Sequence, residues 1–154
     1  MSRPRCCTIF CGALLVSTLW TARAEAAGCT ISTSGVAFGA YDVFNSSPVD
    51  STGNITYACN QNNADIVITL GKGGAALFAD RRMLNASEIL LYNLYTNAAR
   101  TIIWGDGTES TQTFAHTNMN KDEVYNATVY GRVPATQDVA AGSYSNTIVA
   151  TIIW

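Results

Sequence analysis

The chain has 154 residues, of which 48% are hydrophobic and 13% are charged, and its formal net charge is −2 at pH 7. This length is enough for one domain with its own core, and no second domain boundary or internal repeat is visible. The chain carries no basic patch, which argues against nucleic acid or an anionic membrane surface as a partner.

Residues 1–24 have the three parts of a secretory signal peptide: a positively charged start, an apolar run over residues 6–20 and a small-x-small cleavage site. Cleavage is predicted after Ala24, with Ala26 as the alternative. The apolar run is too short for a membrane anchor, because a spanning helix needs about 20 residues. A lipoprotein modified at Cys29 fits less well, because polar residues separate that cysteine from the apolar run. The predicted organisation is a signal peptide over 1–24 and one domain over 25–154.

Cleavage of the predicted signal segment would change both the number of cysteines and the net charge of the chain. Only Cys29 and Cys59 remain, and two cysteines in an exported chain usually form one disulfide. Such a bond would restrict the unfolded chain by about 3–4 kcal/mol in the entropic model; two free buried thiols are the alternative. Three of the 9 basic residues leave with the segment, so 6 remain against 11 acidic residues, a net charge of −5.

The remaining chain reads as short β-strands with no convincing helix. Alternating or β-branched runs predict strands over residues 29–33, 36–41, 54–59, 65–70, 89–96, 100–104, 111–115 and 124–133, with a last strand within 145–154. Residues 75–85 fit either a helical turn or a loop, 116–123 a polar loop and 134–143 a crossover loop. The run from Gly105 to Thr108 predicts a hairpin turn, because Asp-Gly suits positions with positive φ. Short strands at this spacing predict an all-β sandwich.

The last predicted strand is apolar on both faces. Ile148, Ala150, Ile152 and Trp154 alternate onto one face. Chain ends are normally polar and frayed unless they are tied into a sheet. We therefore expect one face of this strand to be buried, and its other face and its edge to be covered by the protein or by a partner.

No arrangement of residues indicates catalysis or metal binding. His116 is the only histidine, it falls in a predicted polar loop, and no nucleophile motif accompanies it. The loop carboxylates lack calcium-loop spacing. We therefore predict no enzyme, cofactor, metal or small-molecule substrate. Most aromatic residues read as core, but Ile102, Ile103 and Trp104 beside the hairpin turn could form an exposed apolar surface that binds an apolar or carbohydrate ligand.

Several short motifs occur in a characteristic order through residues 29–154. They are Cys29, Phe38-Gly39-x-Tyr41, Gly53-Asn-Ile-Thr-Tyr-x-Cys59, Leu70-Gly71, Arg82-Met83, Leu91-Tyr92-x-Leu94-Tyr95, Trp104-Gly105-Asp106-Gly107-Thr108, Tyr130-Gly131-Arg132, Gln137, Gly142-x-Tyr144 and Thr151-Ile-Ile-Trp154. In their order and spacing the sequence resembles the spore coat protein U domain family, which includes the pilin domain of archaic chaperone–usher pili.

This resemblance implies a structural protein rather than a catalyst. Pilins of chaperone–usher systems look like immunoglobulin sandwiches that lack their last strand, and a partner supplies that strand by donor-strand complementation. The implied partners are a periplasmic chaperone, an outer-membrane usher and neighbouring pilin subunits, with export to the surface of a Gram-negative bacterium. The face carrying Ile148, Ala150, Ile152 and Trp154 would then border the groove that receives the donor strand.

The sequence departs from the pilin pattern before Cys29. A donor segment of on the order of 10 residues is needed to fill a groove at ~3.3 Å per residue, whereas residues 25–28, or 27–28 with the later cleavage, precede Cys29 here. This predicts an acceptor-only, tip-like subunit. The alternative is an adhesin-like module that recognises a surface or carbohydrate through loops at the sandwich end.

Overall fold

The computed structural model describes residues 28–154, so the predicted signal segment lies outside the described residues. Within this range the chain forms nine β-strands and one three-residue 3-10 helix, Phe78–Asp80. The strands are β1 (Cys29–Ser34), β2 (Val49–Cys59), β3 (Ala64–Leu70), β4 (Arg82–Asn85), β5 (Glu88–Leu91), β6 (Asn93–Tyr95), β7 (Phe114–Met119), β8 (Tyr125–Val133) and β9 (Ala150–Ile153). In residues 28–154 no helix has the length and apolar character needed to cross a membrane.

The strands form three antiparallel sheets. The largest has the order β1-β2-β8-β6, the second has the order β7-β3-β9, and β4 and β5 form a separate hairpin. Inward side chains from both larger sheets share one core cluster, among them Ile55 of β2, Ile68 of β3 and Val129 of β8. This all-β, sandwich-like arrangement agrees with the predicted fold class.

The core follows from the period-2 alternation of the strands. In β8, Ala127, Val129 and Val133 are buried, whereas Asn126 and Thr128, which flank Ala127, are exposed. The inward residues of β3 alternate in the same way. Alternation of this kind places every second side chain on the same face of a sheet. The register of each strand is therefore fixed by which residues must be buried.

The predicted disulfide is present. Cys29 and Cys59 are bonded and face each other as the first residue pair between β1 and β2. The bond ties the first described strand to the end of β2, which is the longest strand, and Cys59 is itself buried. The alternative of two free thiols is excluded.

Three strand predictions and one loop prediction differ from the structure. Residues 36–41 form no strand, and Gly39 within them has a φ of 74°, which interrupts an extended pleat. The predicted strand 89–96 is two strands separated at Tyr92. Residues 100–104 contribute isolated bridges rather than a strand. The predicted polar loop 116–123 instead begins inside β7.

Arg81 lies buried at the junction between the 3-10 helix and β4, with none of its surface exposed. Its guanidinium donates to the carbonyl oxygens of Gly71, at 2.8 Å from Nη2, and of Trp104, at 2.7 Å, and to Oδ1 of Asn93, at 3.0 Å. The side chain therefore joins the end of β3 to two segments that no strand pairing connects to it. Burial lowers the pKa of the Arg81 guanidinium to about 10.

Candidate functional site

A groove runs between the edges of the two larger sheets. In the part of the chain that the structure describes, β1 pairs only with β2 and β9 pairs only with β3, so each strand keeps one unpaired edge. A cavity of about 280 Å³ opens between these strands. The apolar side chains in its wall include Ile55, Leu70, Leu94, Val129, Ile148 and Ala150. We call this space the first cavity.

One end of the first cavity is polar. Nδ2 of Asn146 donates a hydrogen bond of 3.1 Å to the hydroxyl oxygen of Tyr92, and both residues line the cavity. Burial raises the pKa of the Tyr92 hydroxyl. The backbone of Gly73 lies against Asn146 and Ile148, and a Cβ atom there would lie 2.5 Å from each of them. Gly73 also has a φ of 63°, so a side chain there would be strained and would displace the side chains of Asn146 and Ile148 from the cavity wall.

The predicted groove residues fall in three different settings. Ile148 and Ala150 line the first cavity. Ile152 is half-buried and packs against the core from β9. Trp154 follows the last strand, is 55% exposed and is not part of the cavity wall. The structure thus brings Ile148 and Ala150 together at the cavity and leaves Trp154 outside it.

A second cavity of about 860 Å³ continues the first one. Its walls are residues 36–43 on one side and 139–144 on the other, with Met83, Leu90 and Val133 between them. The two cavities share four lining residues, which are Val36, Phe38, Met83 and Tyr144. Val36 and Phe38 can lie here because Gly131 below them has no side chain; a Cβ atom at Gly131 would come within 2.7 Å of Val36.

Trp104 is a core residue, so the prediction that it is exposed at the end of the sandwich is wrong. None of its surface is exposed, its indole N–H donates to the carbonyl oxygen of Ile68 at 2.9 Å, and its ring stacks on Phe114. Ile102 and Ile103 are half-buried. The physical reason is the turn that follows, in which residue 105 is glycine and lies directly against Thr111, so the chain folds back over the core.

An exposed apolar face lies instead on the β4–β5 hairpin. Leu84 is 48% exposed, Ile89 41% and Leu91 44%, and the pairing of Leu84 with Ile89 and of Arg82 with Leu91 puts all of them on one face. Sequence reasoning missed this face because residues 89–96 read as one strand. The side-chain amide of Gln137 bonds both the N–H and the carbonyl of Leu91, so it occupies the outer edge of β5.

His116 is held between the sheets rather than in a solvated loop. It lies in β7, half-buried, with Nδ1 2.9 Å from the hydroxyl oxygen of Tyr57 and its ring edge-on to Tyr125 at 4.5 Å between centroids. Tyr57 belongs to the other sheet, so this contact spans the core. Among residues 28–154 there is no group of three or more His, Cys, Asp or Glu side chains placed to hold a metal ion.

The chain is similar to known proteins over most of its length. The family model of the Spore Coat Protein U domain matches residues 15–151. "Protein U" of Myxococcus xanthus is 37% identical over an alignment of 128 residues, and the match covers 75% of this chain and 69% of that protein. None of these descriptions names an enzymatic activity.

The fold is also similar to that of a solved pilus structure. The match is to a chain in the crystal structure of the CsuC–CsuE chaperone–tip adhesion subunit pre-assembly complex, from the archaic chaperone–usher Csu pili of Acinetobacter baumannii. The TM-score is 0.56 at 22% identity, and the match covers 84% of this chain but only 40% of that one. The family match and the identity to Protein U together decide the assignment: the chain belongs to the Spore Coat Protein U domain family.

Proposed function

We propose that this chain is an exported structural subunit of a chaperone–usher pilus or cell-surface coat, and that the groove between β1 and β9 accepts a β-strand from a partner protein. The observation that carries the proposal is the first cavity, an apolar space of about 280 Å³ between two strands that each keep an unpaired edge. On this proposal the sandwich is an immunoglobulin-like one that lacks its last strand.

The groove offers both parts of a strand-binding site. A strand laid beside β9 gains main-chain hydrogen bonds along the free edge, and its alternate side chains enter the cavity. The cavity wall contains no charged residue, so apolar side chains fit it best. Each bulky apolar side chain that becomes fully buried contributes about 1.5–3 kcal/mol. Without a partner the same free edges are an aggregation hazard.

The partners follow from the family and the fold. The resemblance implies a periplasmic chaperone that covers the groove during export, and an usher and neighbouring subunits at the outer membrane. The similarity to a chain of a chaperone–tip adhesion subunit complex supports the same kind of partner. The cell surface is then where the assembled subunit acts.

The proposal is tested by fusing a donor strand to the end of β9. The fusion adds a turn linker after Trp154 and then a strand with alternating Val or Ile residues, which can fold back along β9. Burial of two such side chains adds about 3–6 kcal/mol, so the Tm should rise by on the order of 10 °C. The control carries Asp at the inward positions of the same strand. A Tm equal to that of the control would refute the proposal.

A second candidate function is adhesion through the β4–β5 hairpin. Its support is the exposed apolar face formed by Leu84, Ile89 and Leu91. The test replaces Leu84 and Ile89 by Ser and measures retention of the folded protein on an alkyl-coated surface. Val124→Ser, at a residue that is 61% exposed outside this hairpin, is the matched control. Equal retention of the two variants would rule the hairpin out as the binding face.

A further inference from the structure

The two cavities form one continuous groove. They meet at Val36, Phe38, Met83 and Tyr144, which line both of them. Along the groove one wall advances from residue 33 to residue 43 while the other runs back from residue 150 to residue 139. The second cavity is the larger one, at about 860 Å³ against about 280 Å³. The space available between the walls therefore extends well beyond the free edge of β9.

The backbone along the second cavity is not paired. Among residues 28–154, no backbone–backbone hydrogen bond joins residues 36–41 to another segment. The carbonyl oxygen of Ala37 accepts a bond of 2.6 Å from the hydroxyl of Ser51, which is a side chain. This is the segment whose sequence alternates like a strand. Residues 138–144 on the opposite wall also lack backbone–backbone bonds within the described range.

We infer that the donor strand accepted beside β9 continues past Tyr144 into the second cavity, where its far end packs against residues 36–43. This inference rests on the proposed function and extends it, because it sets the length and the chemistry of the donor. A donor that runs opposite residues 138–150, which include one wall of both cavities, needs about 13 residues at ~3.3 Å each, against about 7 opposite residues 144–150 at the first cavity alone. The occupant is thus the far part of the same partner strand.

The residues that line the second cavity indicate which side chains the far part of the donor strand should carry. It is built mainly of aliphatic and aromatic side chains, among them Val36, Leu90, Val133 and Val139, and Asp42 is its only charged residue. The main chain of an added strand can form hydrogen bonds with the unpaired backbone N–H and C=O groups of the wall. An apolar small molecule cannot form these bonds. The far end should therefore be an extended, uncharged segment with apolar side chains.

The experiment compares two donor fusions on the full exported chain. Both follow Trp154 through the same linker; the short one carries about 7 donor residues and the long one about 13. We expect the long donor to raise the Tm by at least a further ~5 °C. It should also slow amide hydrogen exchange of residues 36–41 at least tenfold relative to the short donor. A long donor with Asp at the apolar positions of its far part should behave like the short one.

A substitution in the wall of the second cavity provides the second part of the experiment. Ala140 is exposed and lines the second cavity, so Ala140→Asp should reduce the extra Tm gain of the long donor to less than half while leaving the effect of the short donor unchanged. Ala99→Asp, in an exposed turn outside both cavities, is the matched control.

The outcomes separate the two proposals. If the short donor fails to raise the Tm, the proposed function is wrong. If the short donor stabilises the protein and the long one adds nothing, or adds as much with its charged far end, the groove ends at the first cavity and this inference is overturned.

Discussion

Replacement of the buried Arg81 by Met is the most informative test of how the fold is held together. Met has a similar length and no hydrogen-bond donors, so Arg81→Met removes the guanidinium from a site where none of its surface is exposed. The carbonyl oxygens of Gly71 and Trp104 then lose the bonds that now measure 2.8 and 2.7 Å from Nη2, and the carbonyl oxygen of Leu70 loses a longer one of 3.3 Å. Oδ1 of Asn93 keeps a second donor, the N–H of Leu94.

The expected loss of stability follows mainly from the carbonyls of Gly71 and Trp104, which accept the two short bonds. A buried polar group left without a partner costs about 1–3 kcal/mol, so two cost about 2–6 kcal/mol. The variant also removes the cost of burying a charge, which is visible in the lowered pKa of Arg81, about 10, caused by desolvation. This gain offsets part of the loss, and we expect a net destabilisation of about 2–4 kcal/mol.

Urea denaturation followed by tryptophan fluorescence measures the effect. With a slope of about 1–3 kcal/mol per molar urea, the midpoint should fall by about 1–2 M. The control is Arg82→Met at the next residue, where Nε is buried without a hydrogen-bond partner and the side chain is only half-buried; its midpoint should change little. A loss below about 1 kcal/mol for Arg81→Met would show that Arg81 is not what joins these segments.

Three further predictions concern single contacts. Replacing Cys29 and Cys59 by Ala should lower the free energy of unfolding by about 3–4 kcal/mol, measured in urea against the oxidised protein; an unchanged midpoint would contradict it. Trp104→Ala should cost about 3–5 kcal/mol through the emptied core, and its urea midpoint should fall accordingly; a surface role would leave that midpoint unchanged. The hydrogen bond from Arg132 lowers the pKa of Asp50 below 3.8, so this pair stabilises the fold above about pH 4 and the contribution is lost as the pH falls through the lower, folded pKa. Asp50→Asn should therefore reduce the urea midpoint at pH 7 and reduce it progressively less as the pH is lowered below about 4, and an equal reduction at every pH would exclude this cause.

The sequence was sufficient to predict the elements whose burial depends on alternation alone. β3 and β8 were predicted almost to the residue, because their inward and outward side chains differ clearly in polarity. The number of cysteines was enough to predict the disulfide, because only two cysteines follow the predicted signal segment. The family resemblance supplied what alternation cannot, namely the expectation of an open groove beside the last strand.

The features that sequence reasoning missed depend on contacts between distant segments. Trp104 lies next to a strong turn signal, and only the approach of Gly105 to Thr111 places it over the core. Arg81 and Arg82 are adjacent residues of the same type. Only Arg81 donates hydrogen bonds to three backbone carbonyls, which belong to two other segments. His116 is followed by polar residues, but its partner Tyr57 is 59 positions away. No local pattern in the sequence indicates any of these contacts.

The burial of β9 supports the proposal that the groove is an unfilled part of the sandwich. β3 and β9 belong to the same sheet and both turn apolar side chains inward, yet Ile66 and Ile68 of β3 are 2% and 0% exposed whereas Ala150 and Ile152 of β9 are only half-buried. β3 has a strand on each side, and β9 has one on a single side within the described residues. The difference follows the number of neighbouring strands and not composition, because Ile68 and Ile152 are the same residue type. On the proposed function, a strand added at β9 would supply a second neighbour and bury side chains that already face inward.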